Sequence, residues 1–571
     1  MIRIVSTEAV RQIEAAADAA GFPYDLMMDN AGLAVARRAA AILKRLPDPT
    51  DSRVTVLVGS GNNGSDGLIA ARLIAQNSPA QVRVYLLHKR PDDDPHVQAA
   101  RAAGLFIADA EDDQRYRVLT NMIASANVVV DALFGIGIEL PLRDDASKLL
   151  RAAHAALNGS EHADENLEGE IIQPAHPDTA SRRARPFVLA VDCPSGLEAD
   201  TGVVDKQTLH ADETITFIAV KPGLLTAPGS AYVGDLTVAT IGIPENTEGL
   251  KGEKRFYVDA TYARDLLPQR DSASHKGTYG KALIVGGSVN YTGAAGMSAL
   301  AAYRSGTGLV TVGAPAPVTA ALAAHTLEPT WLLLPSDMGV LAAAAAPVIR
   351  KEAAAYNALL IGPGINRDKI TKDMLIDLFR SKTKTVAKSG IGFIAAKTDD
   401  AAAGAEPLLP PLVLDADALN LLSEIDAWWT LLPASTVITP HAGEFGRLAA
   451  LEREQVEQNR LTLAGEKAAA WNCIVLLKGP HTVIAHPDGR TAVLPFKTSA
   501  LSTAGTGDVL AGLIVGLLAQ GAQPFEAAIL GGYLHGLAGV QAAQTLGGDR
   551  QVIAGDVLAA VPAAIRTLEK G

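Results

Sequence analysis

Short β-branched runs recur along this chain, separated by Ala/Leu-rich stretches of helical length. That alternation is the pattern of helices layered over a mostly parallel sheet. It occurs twice. In the first half the runs are RVTVLVG from Arg53, VRVYLL from Val82, NVVVDALFG from Asn127 and FVLAVD from Phe187. In the second they are KALIVGG from Lys281, GLVTVGAP from Gly308, ALLIGPG from Ala358, PLVLDAD from Pro411, STVITP from Ser435 and CIVLLKG from Cys473. Such near-continuous apolar runs suit strands covered on both faces. Between the halves, Pro244 to Lys254 is polar and contains two glycines, so a linker is expected there, with the boundary near residue 250. The predicted class is α/β in two domains, 1–245 and 255–571, of which the 571 residues are ample to make two large cores.

Charge narrows the function. Lys and Arg number 50 against 62 Asp and Glu, a net charge of −12, which disfavours sequence-independent nucleic-acid binding. No apolar run approaches the length of about 18 residues that a membrane span needs; Val509 to Ala519 is among the longest. The opening MIRIVSTEAVRQIEAAADAA lacks the apolar core of a secretory signal. Cys193 and Cys473 lie far apart and do not make a disulfide scaffold. A soluble cytoplasmic protein is expected. From about Asn158 to Pro186 the chain is polar without apolar periodicity, which reads as a mobile surface insertion. No repeat with a period of about 20–50 residues is evident.

After the run ending at Val58 comes GSGNNGSDG, Gly59 to Gly67, and then the helical stretch LIAARLIA. Strand, glycine-rich turn and helix N-terminus make a cradle for an anion, because free N–H groups and the helix dipole both favour negative charge. A tight turn would need the glycines alone; Asn62, Asn63 and Asp66 supply donors and acceptors beyond that need. The segment is neither a GxGxxG fingerprint nor a Walker loop. Asp131 in VVVDALFGIG and Asp192 in LAVDCPSG stand at further strand ends, where parallel sheets bind ligands. Each alone is equally a helix N-cap. Asn63, Asp131 and Ser195 offer hard oxygen ligands suited to an alkali or alkaline-earth cation, and no His/Cys cluster suggests zinc.

GSGNNGSDG, VDALFGIG, VDCPSG and KPG (Lys221 to Gly223), with YDLMMDNAG from Tyr24, together resemble the NAD(P)H-hydrate epimerase domain. The resemblance spans roughly residues 1–245. It implies a Rossmann-like three-layer α/β/α fold that binds hydrated NAD(P)H at Asn62, Asn63, Gly64, Ser65 and Asp66. It further implies contacts along Gly135, Ile136, Gly137, Ile138, Glu139, Leu140 and Pro141, and at Asp192. A potassium ion on Asn63, Asp131 and Ser195 is implied too, with Asp192 as the acid/base that scrambles C6 of the hydrated ring. The family reads NNGGDG where this chain has Ser65, so weaker binding is expected.

In the second half, STAGTGDVLAGLIVGLLAQG places a glycine pair just before a long apolar helix and Asp508 in its first turn. Amides there can stabilise a phosphoryl group while the carboxylate accepts a hydroxyl proton. Phosphoryl transfer is mainly positioning and electrostatics, so this equipment suffices. GTGD with an acid resembles the ribokinase-like superfamily. SHKGTYG from Ser274, RSGTGLVTVGAP from Arg304, IGPG from Ile361, LDADALN from Leu414, TPHAGEF from Thr439 and VLLKGPHTVI from Val475 narrow this to the ADP-dependent NAD(P)H-hydrate dehydratase family.

That second resemblance implies a ribokinase-like α/β domain. Ala294, Gly364, His441 and Asp508 would contact the hydrated nucleotide, and Lys478, Gly479, Pro480, His481, Thr482 and Gly507 would hold ADP, with magnesium as cofactor. Asp415 and Asp417 read as structural, with an indirect role towards magnesium as the alternative. Thr498-Ser499-Ala500 stands where relatives have an Asn-Pro-Gly-like stretch. Together the two halves imply a bifunctional repair enzyme, both lyase and isomerase, acting on hydrated NADH and NADPH, and a homo-oligomer is expected. The rival readings are a ribokinase-like vitamin kinase with a regulatory first domain, and a catalytically dead nucleotide sensor or scaffold.

Overall fold

The computed structural model describes residues 2–158, 185–380 and 409–570. The insertion expected at 158–186 falls almost wholly outside the described residues. The chain divides into two compact units, residues 2–253 and residues 254–571.

The first unit is built on a seven-stranded sheet. Its strands are β1 (Arg53–Val58), β2 (Gln81–Leu86), β3 (Phe106–Asp109), β4 (Val128–Ala132), β5 (Phe187–Val191), β6 (Glu213–Phe217) and β7 (Asp235–Ala239). They lie in the order β3-β2-β1-β4-β5-β6-β7, and every neighbouring pair is parallel. Alternation along β1 sends Val54, Val56 and Val58 into one core with the helices Thr7–Ala19, Tyr24–Leu43 and Asn62–Asn77. Leu57 faces the other core, with the helices Arg117–Ala124 and Asp144–Asn158. Both faces are covered, which is why these strands read as continuous apolar runs. Chain order reverses between β1 and β4, and in open α/β sheets the ligand crevice lies at such a reversal, outside the carboxyl ends of the strands.

The second unit has strands β8 (Arg255–Tyr257), β9 (Lys281–Val285), β10 (Leu309–Ala314), β11 (Thr330–Leu333), β12 (Ala358–Ile361), β13 (Leu412–Leu414), β14 (Val437–Ile438), β15 (Ile474–Leu477), β16 (Val483–Ala485) and β17 (Thr491–Val493). Their order is β8-β17-β16-β15-β14-β13-β12-β9-β10-β11. From β15 through to β11 the pairs are parallel; β15–β16 and β16–β17 are antiparallel. The apolar helix Thr506–Ala519 buries nearly all its length in the core between the sheet and the helices Thr292–Ser305 and Pro524–Leu546. Hydrophobic on every side, it is a buried helix. Among the described residues no helix is long and apolar enough to cross a membrane.

Candidate active sites

In the first unit, β1 leads into Gly59–Gly61 and the helix starts at Asn62, not at Leu68 where the apolar stretch begins. The reason is a close backbone approach. A Cβ on Gly64 would lie 2.0 Å from the Gly59 carbonyl oxygen, so only hydrogen fits and the chain can turn straight into helix. Asn63, Ser65 and Asp66 therefore occupy the helix's first turns. Ser65 is helical without strain, and its Oγ accepts a hydrogen bond from Arg90 at 3.1 Å. Arg90 also donates to the Ser60 and Gly61 carbonyls and to Asp94, tying the turn together.

Above this turn lies a cavity of about 820 Å³ lined by Asn62, Asn63, Asp66, Gly135 to Ile138 and Asp192. Asp192 follows β5 with φ +64, a conformation that Asp tolerates better than most residues. Its Oδ1 accepts from Lys221 Nζ at 2.6 Å and Thr216 Oγ1 at 3.1 Å. Its Oδ2 faces Gly135, where a Cβ would be 3.3 Å from that oxygen and 3.3 Å from Asn63 Cγ. Lys221 is fully buried, and its remaining donors go to Thr216 Oγ1 and the Phe217 carbonyl. Glu14, from the helix Thr7–Ala19, also lines the cavity, and burial together with the Asp192 charge raises its pKa. Burial holds the carboxyl of Asp66 well above the usual range.

Asp131 ends β4 entirely out of solvent. It accepts from Ser195 Oγ at 2.6 Å and Ser195 N at 2.9 Å, and among the described residues it has no basic partner. Burial raises its pKa despite those hydrogen bonds. Asn63 Nδ2 is buried without a hydrogen-bond partner.

In the second unit the carboxyl ends of adjacent parallel strands bring charges together. Asp415 follows β13, His441 follows β14 and Lys478 follows β15. Lys478 Nζ lies 2.8 Å from Asp415 Oδ1 and 3.7 Å from Glu444 Oε2. Gly507 lies beside both, its Cβ position 3.5 Å from Lys478 Nζ and 3.8 Å from Asp415 Oδ2. Next along the helix, Asp508 has its pKa pushed up to about 7 by burial and by Asp415, against the opposing pull of Lys478. His441 caps the helix Ala442–Ala449, its Nδ1 accepting from the amides of Gly443 and Glu444. Burial and the neighbouring Lys478 lower its pKa to about 4, so the ring is neutral at physiological pH. Gly364 and Ala294 adjoin: a Cβ on Gly364 would lie 3.0 Å from that of Ala294.

A second, narrower cavity of about 170 Å³ runs from this cluster past Gly479, Pro480, Thr482, Phe496 and Thr498 to His535. His535 Nε2 is buried with no hydrogen-bond partner, and burial lowers the ring's pKa to about 4.

Comparison with known proteins fits this double arrangement. Residues 25–223 match the family described as YjeF-related protein N-terminus, and residues 282–556 match the NAD(P)H-hydrate dehydratase family. A bifunctional NAD(P)H-hydrate repair enzyme of Moorella thermoacetica is 35% identical over 96% of this chain and 93% of its own length. One from Salinibacter ruber is 36% identical over 95% and 92%. The chain belongs to the bifunctional NAD(P)H-hydrate repair enzymes. It carries an epimerase domain and a dehydratase domain. Among solved structures, the ADP/ATP-dependent NAD(P)H-hydrate dehydratase of Bacillus subtilis, co-crystallised with ATP and Mg²⁺, is 28% identical over 54% of this chain and 97% of its own, with a TM-score of 0.42.

In this repair enzyme the residues expected at the sites gather unevenly. Asn62, Asn63, Asp66, Gly135, Ile136, Gly137, Ile138 and Asp192 share the first cavity, whereas Gly64, Ser65, Glu139, Leu140 and Pro141 do not line it. Lys478, Gly479, Pro480, Thr482 and Gly507 share the narrow cavity. His481 turns into the core, where its Nδ1 meets the Leu494 carbonyl at 3.4 Å. Asp415, read from sequence as structural, stands inside the charge cluster because β13 and β15 flank β14 in the sheet. Glu14 and His535 carried no sequence signal of their own; Lys221 and Glu444 did, in the KPG and TPHAGEF motifs.

Proposed function

We propose that the two cavities are the epimerase and dehydratase sites and that they act in sequence on one substrate. The observation that carries this is the pair of carboxylates, Asp192 after a strand with Oδ2 turned towards Gly135 and Asp508 in a helix's first turn with a pKa near neutrality. In the first site Asn62, Asn63, Asp66 and the loop Gly135 to Ile138 bind the hydrated nicotinamide nucleotide. Lys221 holds Asp192 through Oδ1, and Oδ2 exchanges a proton with the C6 hydroxyl. The R and S hydrates are thereby interconverted.

Asp131, Ser195 and Asn63 fit a potassium ion, because Asp131 is a buried carboxylate without a basic partner among the described residues. Such an ion would supply the missing positive charge and steady the loop at Gly135.

In the second site Ala294, Gly364, His441 and Asp508 take the S hydrate, and Lys478, Gly479, Pro480, Thr482 and Gly507 take ADP. A base is most useful when its pKa is close to the working pH. Asp508 accepts the hydroxyl proton as the C6 oxygen attacks the β-phosphorus and the bond to the AMP oxygen breaks. The phosphate ester then leaves as inorganic phosphate while C5 loses a proton, which restores the ring double bond. The amide of Gly507 and the ammonium of Lys478 stabilise charge on the transferring group. Among the described residues no three His, Cys, Asp or Glu side chains gather to hold a metal. Asp415 and Asp508 are the carboxylates that fit magnesium carried largely by nucleotide phosphates, where it would neutralise their charge.

A reducing, cytoplasmic setting belongs to this reading and is supported by two buried free cysteines, Cys193 and Cys473. So does a homo-oligomer, which the exposed Leu327, Leu333 and Met338 around the edge strand β11 support. Light scattering tests it. The central test mixes both hydrate epimers with ADP and magnesium and follows recovery of reduced-nicotinamide absorbance. Full recovery is expected from the unaltered chain, one epimer's share from Asp192→Ala, and none from Asp508→Ala. Full recovery by Asp508→Ala overturns the assignment.

A further inference from the structure

Interconverting the configuration at C6 demands two proton transfers at once. When the C6 hydroxyl loses its proton, C6–O becomes a carbonyl, the C6–N1 bond breaks, and its electron pair moves to N1. N1 must then gain a proton for the opened ring to persist, rotate about C5–C6 and close on the other face by the reverse steps. Protons and electrons balance within the substrate, and no co-reactant is needed. One carboxylate cannot take and give a proton in the same instant, so the site needs a second carrier.

Asp192 is equipped for the accepting half. Three donors, from Lys221, Thr216 and the Phe217 amide, converge on Oδ1 and leave Oδ2 towards Gly135. Glu14 has the opposite surroundings. It enters the same cavity from another wall, the helix Thr7–Ala19, whereas Asn62, Asn63 and Asp66 share the helix Asn62–Asn77. Val10 and Phe217 line the cavity with it, and among the described residues its carboxyl has no salt-bridge partner. Arg11, three residues before it and also at the cavity wall, pairs with Glu8 at 3.6 Å. Burial and the charge on Asp192 raise the pKa of Glu14 against the opposing pull of Lys221 and Arg11. The cavity also presents an unsatisfied buried donor, Asn63 Nδ2, so these groups face a binding space that is built for a ligand. Glu14 precedes the stretch matched to the epimerase family, residues 25–223, so that match does not mark it.

We infer that Glu14 is the second proton carrier of the epimerase, giving N1 its proton as Asp192 takes one from the C6 hydroxyl. The inference rests on the reading of this cavity as the epimerase site.

The test uses the full chain and the separated R hydrate without ADP, with formation of the S hydrate followed by chromatography and the uncatalysed rate subtracted. Glu14→Gln keeps size and polarity and loses the proton. Its kcat is expected to fall about 100-fold, the range of a general acid, with KM within threefold. Glu14→Asp is expected to recover at least tenfold of that loss. ADP-dependent turnover of the S hydrate by the same preparations reports that the chain is folded. A Glu14→Gln kcat within threefold of the unaltered chain, beside an inactive Asp192→Asn, overturns the role of Glu14 alone. A loss carried entirely in KM also overturns it. Full activity in Asp192→Asn instead removes the reading of the cavity. If Asp66→Asn reproduces the kcat loss while Glu14→Gln does not, the second carrier is Asp66 and the inference fails.

Discussion

Both active sites pair a lysine with an aspartate at the ends of parallel strands, and they use the pair in opposite ways. In the first unit the buried Lys221 is committed to the catalytic candidate itself, holding Asp192 through one oxygen. In the second, Lys478 is committed to Asp415, and Asp508 stands beside the pair with no ion-pair partner among the described residues. The first arrangement fixes a carboxylate in place. The second leaves a carboxyl whose proton is labile near neutrality, which suits a base that must collect a proton during phosphoryl transfer. The same two residue types thus give a clamp in one unit and a tuned acid–base centre in the other.

Removing the first lysine should hurt most. Lys221 is fully buried and makes three hydrogen bonds, so Lys221→Met strands Asp192 without its counter-charge. Breaking one half of a buried pair costs about 3–5 kcal/mol. The expected result is loss of epimerisation and a lower first transition in calorimetry, with ADP-dependent dehydration retained. A melt unchanged from the parent's would show that Lys221 is not the clamp.

Asp508→Asn is expected to lower dehydration by about 10³-fold while epimerisation persists. Its pH dependence follows from the raised pKa. Only the ionised form accepts a proton, so dehydration in the unaltered chain should fall as pH drops through about 7. The stability effect has the reverse sense. The folded pKa lies above the unfolded one, so the folded state binds the extra proton and stability declines as pH rises from the usual carboxylate range through about 7. Thermal melts of Asp508→Asn across that window should be flatter than the parent's. Identical slopes would place the titration elsewhere.

Lys478→Met sharpens the contrast further. Lys478 lowers the Asp508 pKa while Asp415 raises it, so removing the lysine should move the acid limb of dehydration above about 7. If the limb stays in place, Asp508 is insulated from the pair and burial alone sets its pKa.

How much of this was legible beforehand depended on where each residue stands. Asp131, Asp192, His441, Lys478 and Asp508 follow strands or open a helix, and parallel pairing brings the carboxyl ends of strands together, so motif position alone placed them. Lys221 was visible in KPG, but its burial depends on Thr216 and the Phe217 carbonyl at the end of β6. That strand, GluThrIleThrPhe from Glu213, is too polar to read as a core strand, yet all of it is buried. Asp415 looked structural because its partner lies 63 residues away. Glu14 and His535 sit on helices whose packing, not pattern, aims them into cavities. The Thr498-Ser499-Ala500 departure also became interpretable only in three dimensions: both hydroxyls bond Asp549 Oδ2, which holds the turn at the narrow cavity's edge.

Ser65 gives the smallest and most discriminating prediction. From sequence it stands where the family has glycine, and weaker hydrate binding was expected. Its side chain turns from the cavity to Arg90, which also braces the Ser60 and Gly61 carbonyls. Ser65→Gly therefore removes a brace and places glycine within the first turns of a helix, a change worth about 0.5–1 kcal/mol of stability. The expected outcome is a slightly lower melt with the epimerase KM within twofold of the parent's. A KM several-fold lower would mean that the serine does crowd the hydrate, and that the glycine-rich turn reads its ligand through side-chain size. An unchanged KM would mean that it reads the ligand through its backbone, as a helix N-terminus does.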